Sequence, residues 1–578
     1  MEYLLSIIGY SVSLTNVLRF PYICSRNGGG AFLIPYIVCL TLCGLPLFSL
    51  EVTIGQFCGK SAAHVWSVCP LVKGLGIGML TISGIGLVEY TVVCAWALYY
   101  VYYSCATILP WRDCQNPWNS EYCVQSIKSF KDITSSELNG SDINSTLTTH
   151  NRTRSFAEGW EKSALAHTAA EEFWQHKVLG ISSGLDHIGS IKWEILLCLF
   201  ISWAIIFGCV FKGVRSVGKA VYVTATLPYI FLFILLVRGL TLPGGPSGAL
   251  FYLTPDFSKL LDIQVWMAAC AQVFFSLGPA WGGIITLASY NTFHADCLRN
   301  ALFCTYVCGG TSLFAGLVVF SVLGFMAHEA DVPVTDVSSS GPGLGFVVYP
   351  EALAQLPVPQ LWSFLFFIML MLLVLDTLFS MVETVASVIF DEYPSLLKWR
   401  NTVTLGYCFG SFLLGIVTTT EGGMYIFQLI DWYMAAVFLF FAGFLECIVL
   451  AWIYGVNRLS ADMELMTGRP TPCFFRVTWR YVTPAMLLIV FISTLTKYVP
   501  PTYGNYVYPD YAASIGWSIA IIPCIPVVVM MFVTIYNEDG AILQRIIKSL
   551  RPAESWGPAQ LSYREMYFTQ NHPITENS

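Results

Sequence analysis

Apolar runs long enough to cross a bilayer recur twelve times along this chain, and few folds can accommodate them. They lie near residues 3–25, 31–56, 74–108, 192–211, 218–239, 263–290, 299–327, 359–391, 402–419, 424–455, 480–498 and 512–536. A helix needs roughly 20 apolar residues to span the hydrocarbon core. Inside lipid, only structures that satisfy their own backbone polar groups survive. Composition agrees: 56% of the residues are hydrophobic and 11% charged, against about 25% charged in soluble domains. The chain therefore reads as an all-α polytopic membrane protein with twelve transmembrane helices. Runs longer than twenty residues must tilt, bend or protrude. Its 17 Trp, 30 Tyr and 39 Phe suit the aromatic belts at membrane interfaces.

Between the third and fourth runs lies the longest polar stretch, 109–191. It holds Cys114, Cys123 and three glycosylation tripeptides, at Asn139, Asn144 and Asn151. Three such acceptors beside a cysteine pair place this loop on an extracellular or lumenal face and predict a Cys114–Cys123 disulfide. The other cysteines lie mostly within apolar runs and read as small buried hydrophobes. A second outer loop is expected at 328–357. Basic residues give the orientation. Lys60 and Lys73, Lys212, Arg215 and Lys219, Arg299, Lys398 and Arg400, and Arg458, Arg469, Arg476 and Arg480 fall in the loops on the other side. Both termini are then cytoplasmic and the plasma membrane is the expected location. The expected layout is a transporter domain over 1–537 and a cytoplasmic tail over 538–578, polar and read as disordered or peripheral. Met1 runs almost directly into the first span with no small-residue cleavage site after it, so a signal peptide is not expected. The net charge of −7 forms no basic stripe, which argues against a nucleic-acid partner. Membrane lipid is the expected surround.

Two runs are interrupted at their centres. The first contains GYSVSLTNVLRFPY (9–22) and the sixth FFSLGPAWGG (274–283). Pro279 removes a backbone donor, and Gly278, Gly282 and Gly283 lower the cost of leaving helical geometry. Backbone groups freed in lipid must find protein, water or a ligand. Interruptions five spans apart, at matching places in two halves, point to an inverted-repeat transporter with its site at mid-membrane.

The run NVLRFPYICSRNGGGAFLIPY (16–36) resembles the first-to-second helix signature of the neurotransmitter:sodium symporters. CAWALYY (94–100), AQVFFSLGPAWG (271–282), LASYN (287–291), LDTLF (375–379), DEYP (391–394), CIVLAWIYGVNR (447–458) and the Cys-x8-Cys pair extend the resemblance in order to about Tyr536. It implies two inverted five-helix repeats with broken first and sixth helices, plus two peripheral helices. It also implies co-transport of a small amine- or amino-acid-like solute with Na⁺, usually with Cl⁻, by alternating access. No cofactor is implied beyond the transported ions.

Carried over position by position, the resemblance places one sodium site at Gly9, Val12, Leu373, Asp376 and Thr377. A hard cation wants oxygen ligands, and an acid inside FFIMLMLLVLDTLF is expensive to bury without a function. The other sodium site falls at Ser11, Asn16 and Ser276, where Cys308 replaces the Asn of most relatives. Chloride would lie among Tyr36, Gln272, Ser276 and Ser312, again lacking that Asn. A neutral thiol is a poor ligand for sodium, so Cys308 weakens both sites and leaves chloride coupling open.

Substrate positions are Ser13, Thr15, Tyr90, Phe275 and Trp281. Ser13 stands where monoamine carriers have Asp, which disfavours protonated monoamines and favours a small neutral amino acid or its derivative. Thr15, Trp281 and Met381 replace smaller or different residues and predict a small pocket. Arg19 and Asp431 match the outer gate and Asp391 an inner-gate acid, whose usual Arg and Trp partners are not in this sequence. Glu51 is expected to brace the sixth-helix break. Glu89 stands where an aromatic residue is usual.

Enzyme chemistry is not expected, since the eight His lack metal-ligand spacing and no nucleophile elbow or phosphate loop occurs. The rival reading is a relative that keeps the fold without coupled transport and acts as a receptor or regulatory partner. Cys308 and Thr15 favour it, while Asp376–Thr377 and Arg19–Asp431 oppose it.

Overall fold

The computed structural model describes residues 2–125, 167–211, 213–334, 343–434, 437–496, 498–504 and 506–571. All twelve apolar runs are helical. Ten are long and apolar enough to cross a membrane, among them Gly30–Cys58, Pro70–Ser104, Val217–Thr241, Cys297–Ala330 and Pro359–Glu392. The other two are the expected broken spans: Glu2–Ser11 continued by Thr15–Arg26, and Ile263–Leu277 continued by Gly283–Ser289. The architecture is two five-helix repeats, spans 1–5 and 6–10, followed by two peripheral helices.

Apolarity on all sides removes the usual core-versus-water distinction, so burial sorts the helices. Span 8 (Pro359–Glu392) has 83% of its apolar window inside the protein, whereas span 12 (Asp510–Asn537) has 17% and faces lipid. Span 8 packs along span 3, and the N-terminal half of span 1 lies against spans 5, 7 and 8. Glycine permits closer approaches here: a Cβ on Gly55 would lie 2.4 Å from the Ile285 carbonyl of span 6.

In the loop over 109–191, Cys114 and Cys123 are joined as expected. The carboxylate of Glu172 accepts from Ser120 N (2.9 Å) and Asn119 Nδ2 (3.0 Å), tying the two ends of the loop. Asn139, Asn144 and Asn151 lie outside the described residues. Span 7 runs to Ala330, and 344–354 is helical, with Tyr349 stacked on Phe366 at 4.4 Å.

The tail docks against the body through two short helices. Helices Ile542–Ser549 and Leu561–Asn571 flank a buried Trp556, whose indole N–H donates to Tyr454 Oη at 3.3 Å. Tyr563 stacks on Phe293 at 4.2 Å, and Ala559 N donates to Cys58 O at 3.1 Å. A few aromatic residues in a polar segment suffice to dock it.

Candidate functional site

The two breaks face each other across the middle of the bundle. Span 1 leaves helical geometry at Val12 and Ser13, where local groups cap the freed donors. Asn16 Oδ1 accepts from Ser13 N at 3.0 Å and Ser13 Oγ from Thr15 N at 3.3 Å. Span 6 leaves it after Leu277, with Gly278, Ala280 and Gly282 all at positive φ (70°, 66° and 81°). Ala280 is a non-glycine in the left-handed region, and a side chain holds it there: Glu51 Oε1 accepts its N–H at 2.5 Å. The Glu446 carboxyl meets Glu51 from span 10. Freed carbonyls are covered in turn. Tyr10 Oη donates to Gly278 O (3.0 Å), Ser11 Oγ to Leu277 O (3.2 Å) and Ser83 Oγ to Trp281 O (2.7 Å). Glu51 thus has the geometry expected of a brace.

Leu373, Asp376 and Thr377 share one face of span 8, three and four residues apart. That face meets span 1 at Gly9, where a Cβ would stand 2.8 Å from Asp376 Oδ2. Gly9 and Asp376 are therefore brought together, and both are buried. The other carboxylate oxygen, Oδ1, is hydrogen-bonded by Thr224 Oγ1 of span 5. Sequence reasoning missed Thr224. A threonine inside an apolar run ordinarily bonds the carbonyl four residues back, and Thr224 also does so (Ala220 O, 3.1 Å), so the residue carried no distinguishing signal.

Ser11, Asn16, Ser276 and Ser312 converge on Cys308. Its thiol lies 3.3 Å from Ser11 O, 3.4 Å from Ser276 O and 3.5 Å from Ser276 Oγ. Asn16 Nδ2 donates to Ser312 Oγ at 2.8 Å and lies 3.2 Å from the sulfur. Tyr36 Oη donates to Ser312 at 3.2 Å, while Gln272 Nε2 donates to Thr15 O at 3.3 Å, its Oε1 buried without a partner. The two expected ion clusters are thus contiguous, with a sulfur at their junction.

Toward the outer side, Tyr90 Oη and Thr15 Oγ1 are 3.5 Å apart. The Trp281 ring fills the gap beside span 3: a Cβ on Gly86 would be 2.7 Å from its Cζ3 and 3.5 Å from Met381 Cε. The Arg19 guanidinium lies over the Phe275 ring, 3.6 Å from its centroid. Asp431 meets the buried Glu89 carboxyl, with Arg19 beside them. Glu89 therefore faces Asp431 and Arg19 and not water. Asp391, at the opposite end of span 8, accepts from Ser61 N at 2.8 Å. Nearby, Glu383 takes Arg400 Nη2 at 2.7 Å and Tyr290 Oη at 3.1 Å, linking spans 6, 8 and 9. That buried carboxylate was not singled out from the sequence.

Two broken helices facing each other around a buried acid and a polar cluster have the architecture of a secondary transporter. The chain belongs to the sodium:neurotransmitter symporter family, whose model it matches over residues 1–538. It is 41% identical over 574 residues to the sodium- and chloride-dependent glycine transporter 1 of Xenopus laevis, covering 99% of this chain and 89% of that protein. It is 39% identical over 586 residues to the sodium- and chloride-dependent glycine transporter 2 of the same species, covering 100% of this chain and 74% of that protein.

Proposed function

We propose that this chain takes up glycine, or a neutral amino acid scarcely larger, across the plasma membrane by alternating access. Both termini would be cytoplasmic and loop 109–191 extracellular, glycosylated at Asn139, Asn144 and Asn151. One observation carries the substrate reading: Trp281 occupies the volume beside Gly86, which Met381 also approaches. The solute carboxylate would lie near Tyr90 and sodium, Ser13 and Thr15 would border it, and Phe275 would cover it. The names of the two relatives support the smallest amino acid.

One sodium would bind at Gly9, Val12, Leu373, Asp376 and Thr377, where a carboxylate offsets the ion's charge. A second sodium would need Ser11, Asn16 and Ser276. Chloride would need the donors of Tyr36, Gln272, Ser276 and Ser312. Both of these clusters contain the Cys308 thiol, so ion coupling through them is weaker than through Asp376. Arg19 with Asp431 would close the outer side and Asp391 the inner.

Uptake of labelled glycine, alanine, betaine and a monoamine by cells expressing the chain tests this reading. Sodium is replaced by choline, chloride by gluconate, and surface delivery is followed by glycosylation. The expected result is sodium-dependent glycine uptake exceeding that of the larger solutes. Sodium-independent uptake, or a preference for the monoamine, would overturn the reading.

A further inference from the structure

Thr224 stands on span 5, and its hydroxyl reaches a carboxylate on span 8 that faces the backbone of span 1. Two acceptors compete for its single proton: Ala220 O, one turn back at 3.1 Å, and Asp376 Oδ1. With Asp376 ionised, the bond to the carboxylate is the stronger of the two, because a charged acceptor roughly doubles the strength of a hydrogen bond. The carboxylate is then held by its two oxygens in different ways. Oδ1 is fixed by Thr224, while Oδ2 lies against Gly9, where no side chain intervenes. The backbone of Asp376 is also engaged, its carbonyl accepting from Ser380 Oγ at 3.2 Å.

We propose that Thr224 is a positioning residue for sodium coupling, orienting the Asp376 carboxylate so that Oδ2 is presented to an ion between spans 1 and 8. This rests on the reading of Asp376 as a sodium ligand. A hydroxyl suits the role. It donates to the oxygen turned away from the ion, brings no positive charge to compete with the cation, and lowers the cost of burying the carboxylate. Groups that orient ligands in this way typically change metal affinity by about 10- to 100-fold when removed. Because Thr224 belongs to span 5, its bond also makes the ion site sensitive to movement of that helix relative to span 8.

The test is the sodium dependence of uptake in the full chain, comparing Thr224→Val, which keeps the shape, with Thr224→Ser, which keeps the hydroxyl. Thr224→Val should raise the sodium concentration for half-maximal uptake by about tenfold and leave the maximal rate at saturating sodium within about twofold. Thr224→Ser should restore the wild-type value. A merely structural threonine would lower the maximal rate or surface delivery without moving sodium half-saturation, and that result would overturn the proposal. If Thr224→Val does not reach the surface, Thr224→Ala carries the same comparison. Asp376→Asn separates the layers. Sodium dependence that survives it removes the ion-site reading itself. If Asp376→Asn abolishes sodium dependence while Thr224→Val leaves half-saturation unchanged, only the role of Thr224 falls.

Discussion

The sulfur of Cys308 lies 3.3 Å from the carbonyl oxygen of Ser11. A thiol there donates a weak hydrogen bond toward an oxygen that a cation would otherwise share. The same sulfur is 3.4 Å from Ser276 O. A carboxamide in this place would offer an oxygen to sodium and an N–H₂ to an anion. Cys308→Asn should therefore lower sodium half-saturation and sharpen chloride dependence, each about three- to tenfold, the scale of one net hydrogen bond of ~1 kcal/mol. Uptake titrated separately in sodium and chloride checks this. Unchanged dependence on both ions would remove Cys308 as the cause of weak coupling.

Glu51 holds Ala280 in the left-handed region by accepting its N–H. Glu51→Ala leaves that buried donor unpaired, at a cost of about 1–3 kcal/mol, and frees the break of span 6 to relax. Purified Glu51→Ala should unfold at a lower temperature than wild type and transport little. Glu51→Gln should recover much of the thermal stability, because its carbonyl oxygen still accepts from Ala280. Equal thermal midpoints for wild type and Glu51→Ala would sink the bracing role.

The twelve spans and both breaks were legible in the sequence because hydropathy and Gly/Pro placement act locally. Gly9 and Asp376 were legible only through resemblance, since no periodicity within one helix reports a contact between spans 1 and 8. Thr224 and Glu383 were missed for related reasons. The hydroxyl of Thr224 looks satisfied within its own helix, and Glu383 acquires its meaning from Arg400, which sits on another span. The tail, read as disordered or peripheral, is packed on the body, and averaged polarity hides the buried ring of Trp556 and the stacked ring of Tyr563 that dock it.

Trp556 is 3% exposed and packs on Phe57, with ring centroids 5.6 Å apart. Losing a buried Trp typically costs about 3–5 kcal/mol, more than two short flanking helices can offset. Trp556→Ala should release the segment from Arg545 onward from the body while the twelve spans stay folded. Limited trypsin digestion of the purified protein should then cut at Arg545, Lys548 and Arg564 several times faster than in wild type. Equal cleavage rates would show that Tyr563 and Tyr567 hold the tail without the indole.

Gly86 and Trp281 are in direct contact, and on the proposed reading that contact sets the size of the substrate pocket. A Cβ at position 86 would lie 2.7 Å from Trp281 Cζ3, closer than carbon atoms tolerate, so Gly86→Ala must displace the indole. Uptake should fall steeply, through a raised half-saturation for the solute, with sodium half-saturation little changed. The converse substitution, Trp281→Phe, removes part of the ring and opens room of about one or two methylenes. A hydrophobic pocket discriminates by about 1–3 kcal/mol per methylene. The ratio of alanine to glycine uptake should therefore rise about 10-fold or more in Trp281→Phe. Competition between labelled glycine and unlabelled alanine in the single variants and in the Gly86→Ala/Trp281→Phe pair checks both effects together. The pair should transport better than Gly86→Ala alone, because the smaller ring gives way to the added methyl group. A pair no better than the sum of its single losses would place the pocket wall elsewhere than at Trp281.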